Sequence, residues 1–190
     1  MKKFIILIVF IILIVTEAFA GPFGIEFGMS LEQITQISRG SPQNVDGDWF
    51  IIIPPNEDVF FETYLIRIHQ RYGVYFIRAI SRVINTDQNG AELKEQFNTF
   101  AASLQRTYGN YLRSDTIIPG SNLTSPNQFM EALQREEREL AAFWNRNERS
   151  RLPNDILEII VIADASGFSI NRGHIIVNYY GIQYDRIESH

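Results

Sequence analysis

Two alternating apolar segments, residues 60–69 and 74–84, flank the four residues Gln70, Arg71, Tyr72 and Gly73. A period of two over runs of this length is the pattern of a strand with one buried side. A short connection ending in glycine supplies the positive φ that a tight hairpin turn needs. Pairing across the turn predicts Tyr64 opposite Ala79, Ile66 opposite Ile77 and Ile68 opposite Tyr75, all on a core face. The alternate set pairs Leu65 with Arg78, Arg67 with Phe76 and His69 with Val74, a mixed and partly wet second face. A slip of one residue would exchange the two faces, so this pattern constrains both the register and the presence of an antiparallel sheet.

The remaining elements are placed around that hairpin. Ser30 and Gln33 form a capping box ahead of the apolar positions Leu31 and Ile34. Residues 49–53 read as a strand closed by Pro54 and Pro55. Leu93, Phe97, Phe100, Leu104 and Tyr108 recur at helical spacing, and Gly109 follows them. Residues 110–124 read as a polar surface linker. Ser125, Pro126 and Gln128 restart a helix expected to run to Leu140, with Glu131 to Arg135 and Arg135 to Glu139 pairs on its outer face. Residues 141–147, around Trp144, read as a strand, and residues 157–163 and 174–180 as a second hairpin. Trp49, Tyr75, Phe97, Phe100 and Tyr179 are expected to supply core rings. The prediction is a single α+β domain over residues 21–190, with halves at about 21–109 and 125–190. Its sheet is mainly antiparallel, of about five or six strands, with two longer helices on one face and a possible α-βββ duplication.

Residues 1–20 have the form of a cleavable signal peptide. Lys2 and Lys3 precede an apolar run from Phe4 to Val15, and Ala18 and Ala20 give the small-x-small pattern for cleavage between Ala20 and Gly21. The run is too short for the roughly 20 apolar residues of a membrane anchor, so no stable membrane insertion is expected after cleavage. The chain has no cysteine, which excludes a lipid attached after the signal and any disulfide. The fold must hold by packing alone. Without Lys2, Lys3 and Glu17 there remain 15 basic and 21 acidic side chains, interspersed, and no basic footprint for nucleic acid. A cysteine-free exported chain suits a bacterial periplasm or release into the medium.

Few residues have the spacing that chemistry requires. The histidines His69, His174 and His190 lie too far apart in sequence for a zinc pair and have no adjacent nucleophile. Glu57 and Asp58 fall in one loop and define the enzymatic alternative, a small hydrolase acting on envelope polymers. Asn85, Asp87, Asn89 and Gly90 echo the first half of a calcium loop, but Gln96 stands where a bidentate glutamate belongs, and the plainer reading is a polar turn before a helix. Arg67, His69, Arg78 and Arg82 are expected to form a cationic stripe on the second face of the first hairpin. Leu65, Phe76 and Ile80 would give that stripe an apolar setting. No cofactor is expected. The expected partner is a protein, an envelope component or a small ligand.

The stretch Phe23, Gly24, Ile25, Glu26, Phe27, Gly28, Met29, Ser30, Leu31 resembles the opening of small exported bacterial proteins of unknown function, which begin a helix at Gly-Met-Ser or Gly-Met-Thr just after the signal. Similar openings occur in small outer-membrane-assembly lipoproteins and in β-lactamase-inhibitor-like folds. The resemblance implies a non-enzymatic binding or accessory role. The missing lipid-bearing cysteine departs from the first group and the missing disulfides from the second, and no site residue transfers.

Overall fold

The computed structural model describes residues 21–146, 150–165, 167 and 170–188. The proposed signal segment, with Ala20, and His190 lie outside the described residues. Among the described residues there are nine strands, β1 (Gln43–Asp46), β2 (Trp49–Ile52), β3 (Phe61–His69), β4 (Gly73–Ser81), β5 (Ile84–Asn85), β6 (Leu112–Ile117), β7 (Arg138–Asn145), β8 (Ile156–Asp164) and β9 (Arg172–Gly181). Eight of them make one antiparallel sheet in the order β1-β2-β3-β4-β9-β8-β7-β6, and β5 pairs with the start of β9. The helices are α1 (Leu31–Ile37), α2 (Ala91–Tyr108), α3 (Phe129–Gln134) and α4 (Tyr184–Glu188). None of the helices among the described residues is long and apolar enough to cross a membrane.

The α+β class and the mainly antiparallel sheet agree with the sequence reading, but the strand count and the duplication do not. β1 is polar and exposed along its whole length, so it carries no burial pattern to find. β6 occupies the expected linker, an exposed edge strand paired along its length with β7. The second long helix is only six residues. Glu136 takes a positive φ of 58°, and the Glu137 amide bonds back to the Ala132 carbonyl at 2.8 Å, a left-handed helix stop that Glu136 provides without a glycine. The Glu131 to Arg135 ion pair therefore forms at 2.6 Å, while Glu139 has already entered β7. α1 is followed by five strands, β1 to β5, and α3 by three, β7 to β9, with helices of unequal size, so the two halves are not matching α-βββ units.

The first hairpin keeps its predicted register through Tyr64 opposite Ala79, Leu65 opposite Arg78, Ile66 opposite Ile77 and Arg67 opposite Phe76. Beyond that point a β-bulge intervenes: Ile68 pairs with Val74 and His69 with Gly73, leaving Tyr75 as the extra residue. A bulge turns the local side chains and tightens the twist. Tyr75 thereby leaves the core face, where alternation had put it, and its hydroxyl meets Asp48 beside Arg67.

The core lies on the other face. Leu93, Phe97 and Ala101 of α2 are fully buried with Ile159 and Val161 of β8 and Ile175, Val177 and Tyr179 of β9. Phe129, Met130 and Leu133 of α3 and Ile34 of α1 join the same cluster. The capping box of α1 forms as predicted, with Gln33 Oε1 accepting from the Ser30 amide at 2.8 Å and Ser30 Oγ from the Gln33 amide at 3.3 Å. Trp144 is buried in β7 and its indole donates to the Gly109 carbonyl at 2.9 Å. Phe23, two residues past Gly21, lies edge-on to Tyr64 at 4.9 Å and to Phe61 at 5.5 Å, so the core begins within a few residues of the proposed cleavage point.

Candidate functional site

With α1, α2 and α3 contributing to one core, the opposite face of the sheet carries, among the helices of the described residues, α4 alone. Register defines a row across it from strand to strand: Ile51, Leu65, Arg78, Asn178, Ile160, Phe143 and Leu112. Six steps at the spacing of paired strands make this row roughly 29 Å long. A second row runs Ile80, Ile176, Ile162 and Ala141. Ile51 and Leu112 are 38% and 51% exposed, and Leu65, Phe143, Ile160, Ile162, Ile176 and Ile80 are half-buried. Within these two rows Arg78 and Asn178 are the one polar pair near the middle; Thr63 and Ser114 continue the second row at its ends, and Glu158 and Asp164 lie on the same face at the flanking positions of β8.

Two arginines reach this face and share one indole. Trp49 lies opposite Arg67 in the ladder, on the open face and not in the core as expected. The guanidinium carbons of Arg67 and Arg78 stand 5.2 and 5.6 Å from its ring centroid. Their electrostatic circumstances differ. Arg67 Nε donates to Asp48 Oδ1 at 3.2 Å and its Nη1 to Glu188 Oε1 at 2.5 Å. Burial opposes its charge, yet the bond to Asp48 and the fields of Tyr75, Asp48 and Glu188 leave its pKa above the ordinary arginine value. The Tyr75 hydroxyl donates to Asp48 Oδ2, and burial together with that carboxylate pushes its pKa well up. Asp48, Arg67, Tyr75 and Glu188 form a closed cluster in which two carboxylates more than offset the one guanidinium.

Arg78 has no such company. Its Nε donates to Asn178 Oδ1 at 2.7 Å, and its guanidinium lies over Trp49 and, at 5.4 Å, over Phe76. Among the described residues no carboxylate is within ion-pair distance of it. Burial lowers its pKa, and the fields of Tyr180, Tyr184 and Asp164 offset this only in part. An arginine stays protonated even so, which leaves a half-buried cation with unused donors in an aromatic and aliphatic setting. Glu158 lies two strands away on the same face. Burial, reinforced by Asp185, holds its carboxyl above the usual carboxylate range.

The other expected site residues do not join Arg78. His69 sits at the turn, its Nδ1 accepting from the Arg71 amide at 3.1 Å and its ring stacked on Tyr72. It lines a cavity of about 580 Å³ with Gly28, Leu31, Asp48, Phe50 and Ile68, which Arg78 does not reach. Arg82 lies past the end of β4, exposed, so of the four expected residues Arg78 is the half-buried guanidinium with no carboxylate in ion-pair distance among the described residues. Asp87 Oδ1 accepts from the Ala91 amide at 3.0 Å and its Oδ2 from Asn89 at 3.1 Å; these bonds lower its pKa and hold the start of α2. Asn85 ends β5, and the calcium-like pattern is a helix-start turn. Glu57 pairs with Arg39 at 3.1 Å on the surface, while Asp58 Oδ1 caps the Phe60 amide at 2.9 Å. Both carboxylates of the hydrolase alternative stabilise their loop.

Alternation alone had already put Leu65, Phe76 and Ile80 on the second face. It missed Tyr75, Trp49, Asp48, Asn178, Tyr180, Tyr184 and Glu188. Asn178 carried the one available signal, a polar residue between Val177 and Tyr179 in a strand whose alternate positions are buried. Comparison with protein families, with curated proteins and with solved structures finds no match to this chain.

Proposed function

We propose that the chain is an exported, non-enzymatic binding protein that captures a partner on the open face of its sheet. Support for export comes from residues 1–20, where Lys2 and Lys3 precede an apolar run that ends in a small-x-small pattern. The carrying observation for binding is Arg78, a half-buried cation without an anionic partner among the described residues, in the middle of a largely apolar row. Isolated buried charge is costly, and a face that keeps one gains by meeting the opposite charge. Trp, Tyr, Phe and Arg concentrated at one spot are also the composition of interface hot spots.

The test is capture from the envelope and culture-medium fractions of an exporting cell, using residues 21–190 as bait. Arg78→Gln, which removes the charge and keeps a hydrogen-bonding side chain beside Asn178, is expected to lose a partner that both the unaltered chain and Arg106→Gln retain. Arg106 lies in the last turn of α2. A second variant, Ile162→Asp, puts a charge into the apolar row and is expected to lose the same partner. Equal recovery by all four baits, each shown folded by circular dichroism, overturns the reading.

A further inference from the structure

The molecule already contains one example of how its open face is recognised. α4 leaves the end of β9 and lies back on the sheet, setting the Tyr184 ring 4.7 Å from Tyr180 and 6.1 Å from Phe76. One turn later, Glu188 reaches Arg67. Residues four apart share a helix face, so a single helical turn presents an aromatic ring to Tyr180 and Phe76 and a carboxylate to the arginine. Arg67 and Arg78 flank the same indole, yet only Arg67 receives this complement from its own chain.

We propose that the open face binds an amphipathic helix of a partner protein, which presents a carboxylate to Arg78 and large apolar residues one turn away to Ile160, Ile162 and Phe143. The proposal rests on the binding reading of this face and adds the class of partner. One guanidinium between aliphatic residues matches one carboxylate between apolar residues. Phosphate-rich surfaces match it less well, because they call for several cations, whereas Arg67 is neutralised and the mature chain is acidic overall. A row of roughly 29 Å accommodates a helix of up to about 19 residues at 1.5 Å per residue. A helix laid into an apolar groove through residues three and four apart is an established mode of peptide recognition.

The probes are three synthetic helical peptides that present Leu-x-x-x-Glu, Leu-x-x-x-Gln or Leu-x-x-x-Lys on one apolar face and are otherwise identical. Trp49 emission is the readout, since Trp144 is fully buried on the other side of the sheet. The glutamate peptide is expected to bind residues 21–190 saturably and about ten- to a hundredfold more tightly than the glutamine peptide, the scale of a hydrogen-bonded charge pair. The lysine peptide is expected to be weaker still. Arg78→Gln should erase the difference between glutamate and glutamine peptides, and Arg106→Gln should preserve it. Equal affinities for the unaltered chain, or no saturable binding up to about 1 mM, overturn the helix proposal. If that happens while Arg78→Gln still loses its partner in the capture experiment, the face remains a binding surface and only the helical partner is excluded.

Discussion

The Arg67 guanidinium donates to Glu188 at 2.5 Å, tying together residues 121 positions apart and fixing α4 to the open face. Glu188→Gln removes the charge from this bond but leaves Asp48 on Arg67. The expected loss is about 1 kcal/mol or less, because the Glu188 side chain is 39% exposed. Hydrogen exchange should quicken at residues 184–188 while β8 and β9 stay protected. Arg67→Met is expected to cost more, about 1–3 kcal/mol, since it leaves Asp48 and Glu188 facing each other across Tyr75 without a cation. If the two variants have the same urea midpoint, Arg67 does not organise this cluster.

Alkaline stability depends on the tyrosines. Burial, the leading cause in each case, raises the pKa of Tyr64, Tyr75, Tyr108, Tyr179, Tyr180 and Tyr184 in the folded chain. A raised folded pKa means that, above about pH 10, the unfolded state has released protons that the native state keeps. Stability from these groups is therefore complete below that pH and declines as pH rises further. Tyrosinate absorbance is expected to appear together with loss of near-ultraviolet circular dichroism. Tyr75→Phe should make the decline shallower. Full ionisation of all eight tyrosines in a chain with native circular dichroism runs against this account.

Trp144 is fully buried, its indole nitrogen bonded to the Gly109 carbonyl at 2.9 Å and its ring 4.7 Å from Tyr111. This bond joins the end of β7 to the C-cap of α2. Trp144→Phe removes it, leaves a buried carbonyl short of a donor and opens a gap the size of the lost ring. Destabilisation of about 2–4 kcal/mol is expected, read as a lower urea midpoint with an unchanged slope. A loss below about 1 kcal/mol would show that the bond contributes little.

Much of the sheet was legible because burial imposes a period. The first hairpin, α2 with Leu93 and Phe97, and the β8–β9 pair all bury one side, and alternation or helical spacing exposed them. β1 and β6 lie at sheet edges where both sides are wet, so their residues carry no such pattern. Phe129 to Leu140 misled because Glu136 ends α3 with a positive φ and no glycine, and the apolar residues after it change from helical to strand spacing. The site was half legible for a related reason. Alternation placed Arg67 and Arg78 on one face correctly, but a bulge moved Tyr75 to join them, and Asp48 and Glu188 arrived from elements distant in sequence. Which arginine is neutralised is decided by those long-range contacts, and no local pattern encodes it.

Gly73 couples the hairpin turn to the N-terminal segment, and its substitution separates two costs. Its φ is +69°, and a Cβ there would lie 2.1 Å from the Gly28 carbonyl oxygen. The close approach comes from reciprocal bonds, from the Gly28 amide to the Val74 carbonyl and from the Val74 amide to the Met29 carbonyl, both 2.8 Å. Gly120 also has a positive φ, +97°, but nothing lies within 4 Å of its added Cβ. Gly120→Ala should therefore show backbone strain alone, about 1–2 kcal/mol. Gly73→Ala must also push residues 28–29 off the turn, breaking both bonds, and is expected to cost at least about 2 kcal/mol more. It should also speed hydrogen exchange at the Gly28 and Val74 amides, which Gly120→Ala leaves unchanged. Equal stability of the two variants would mean that the N-terminal segment yields without cost and that the turn stands independently of it.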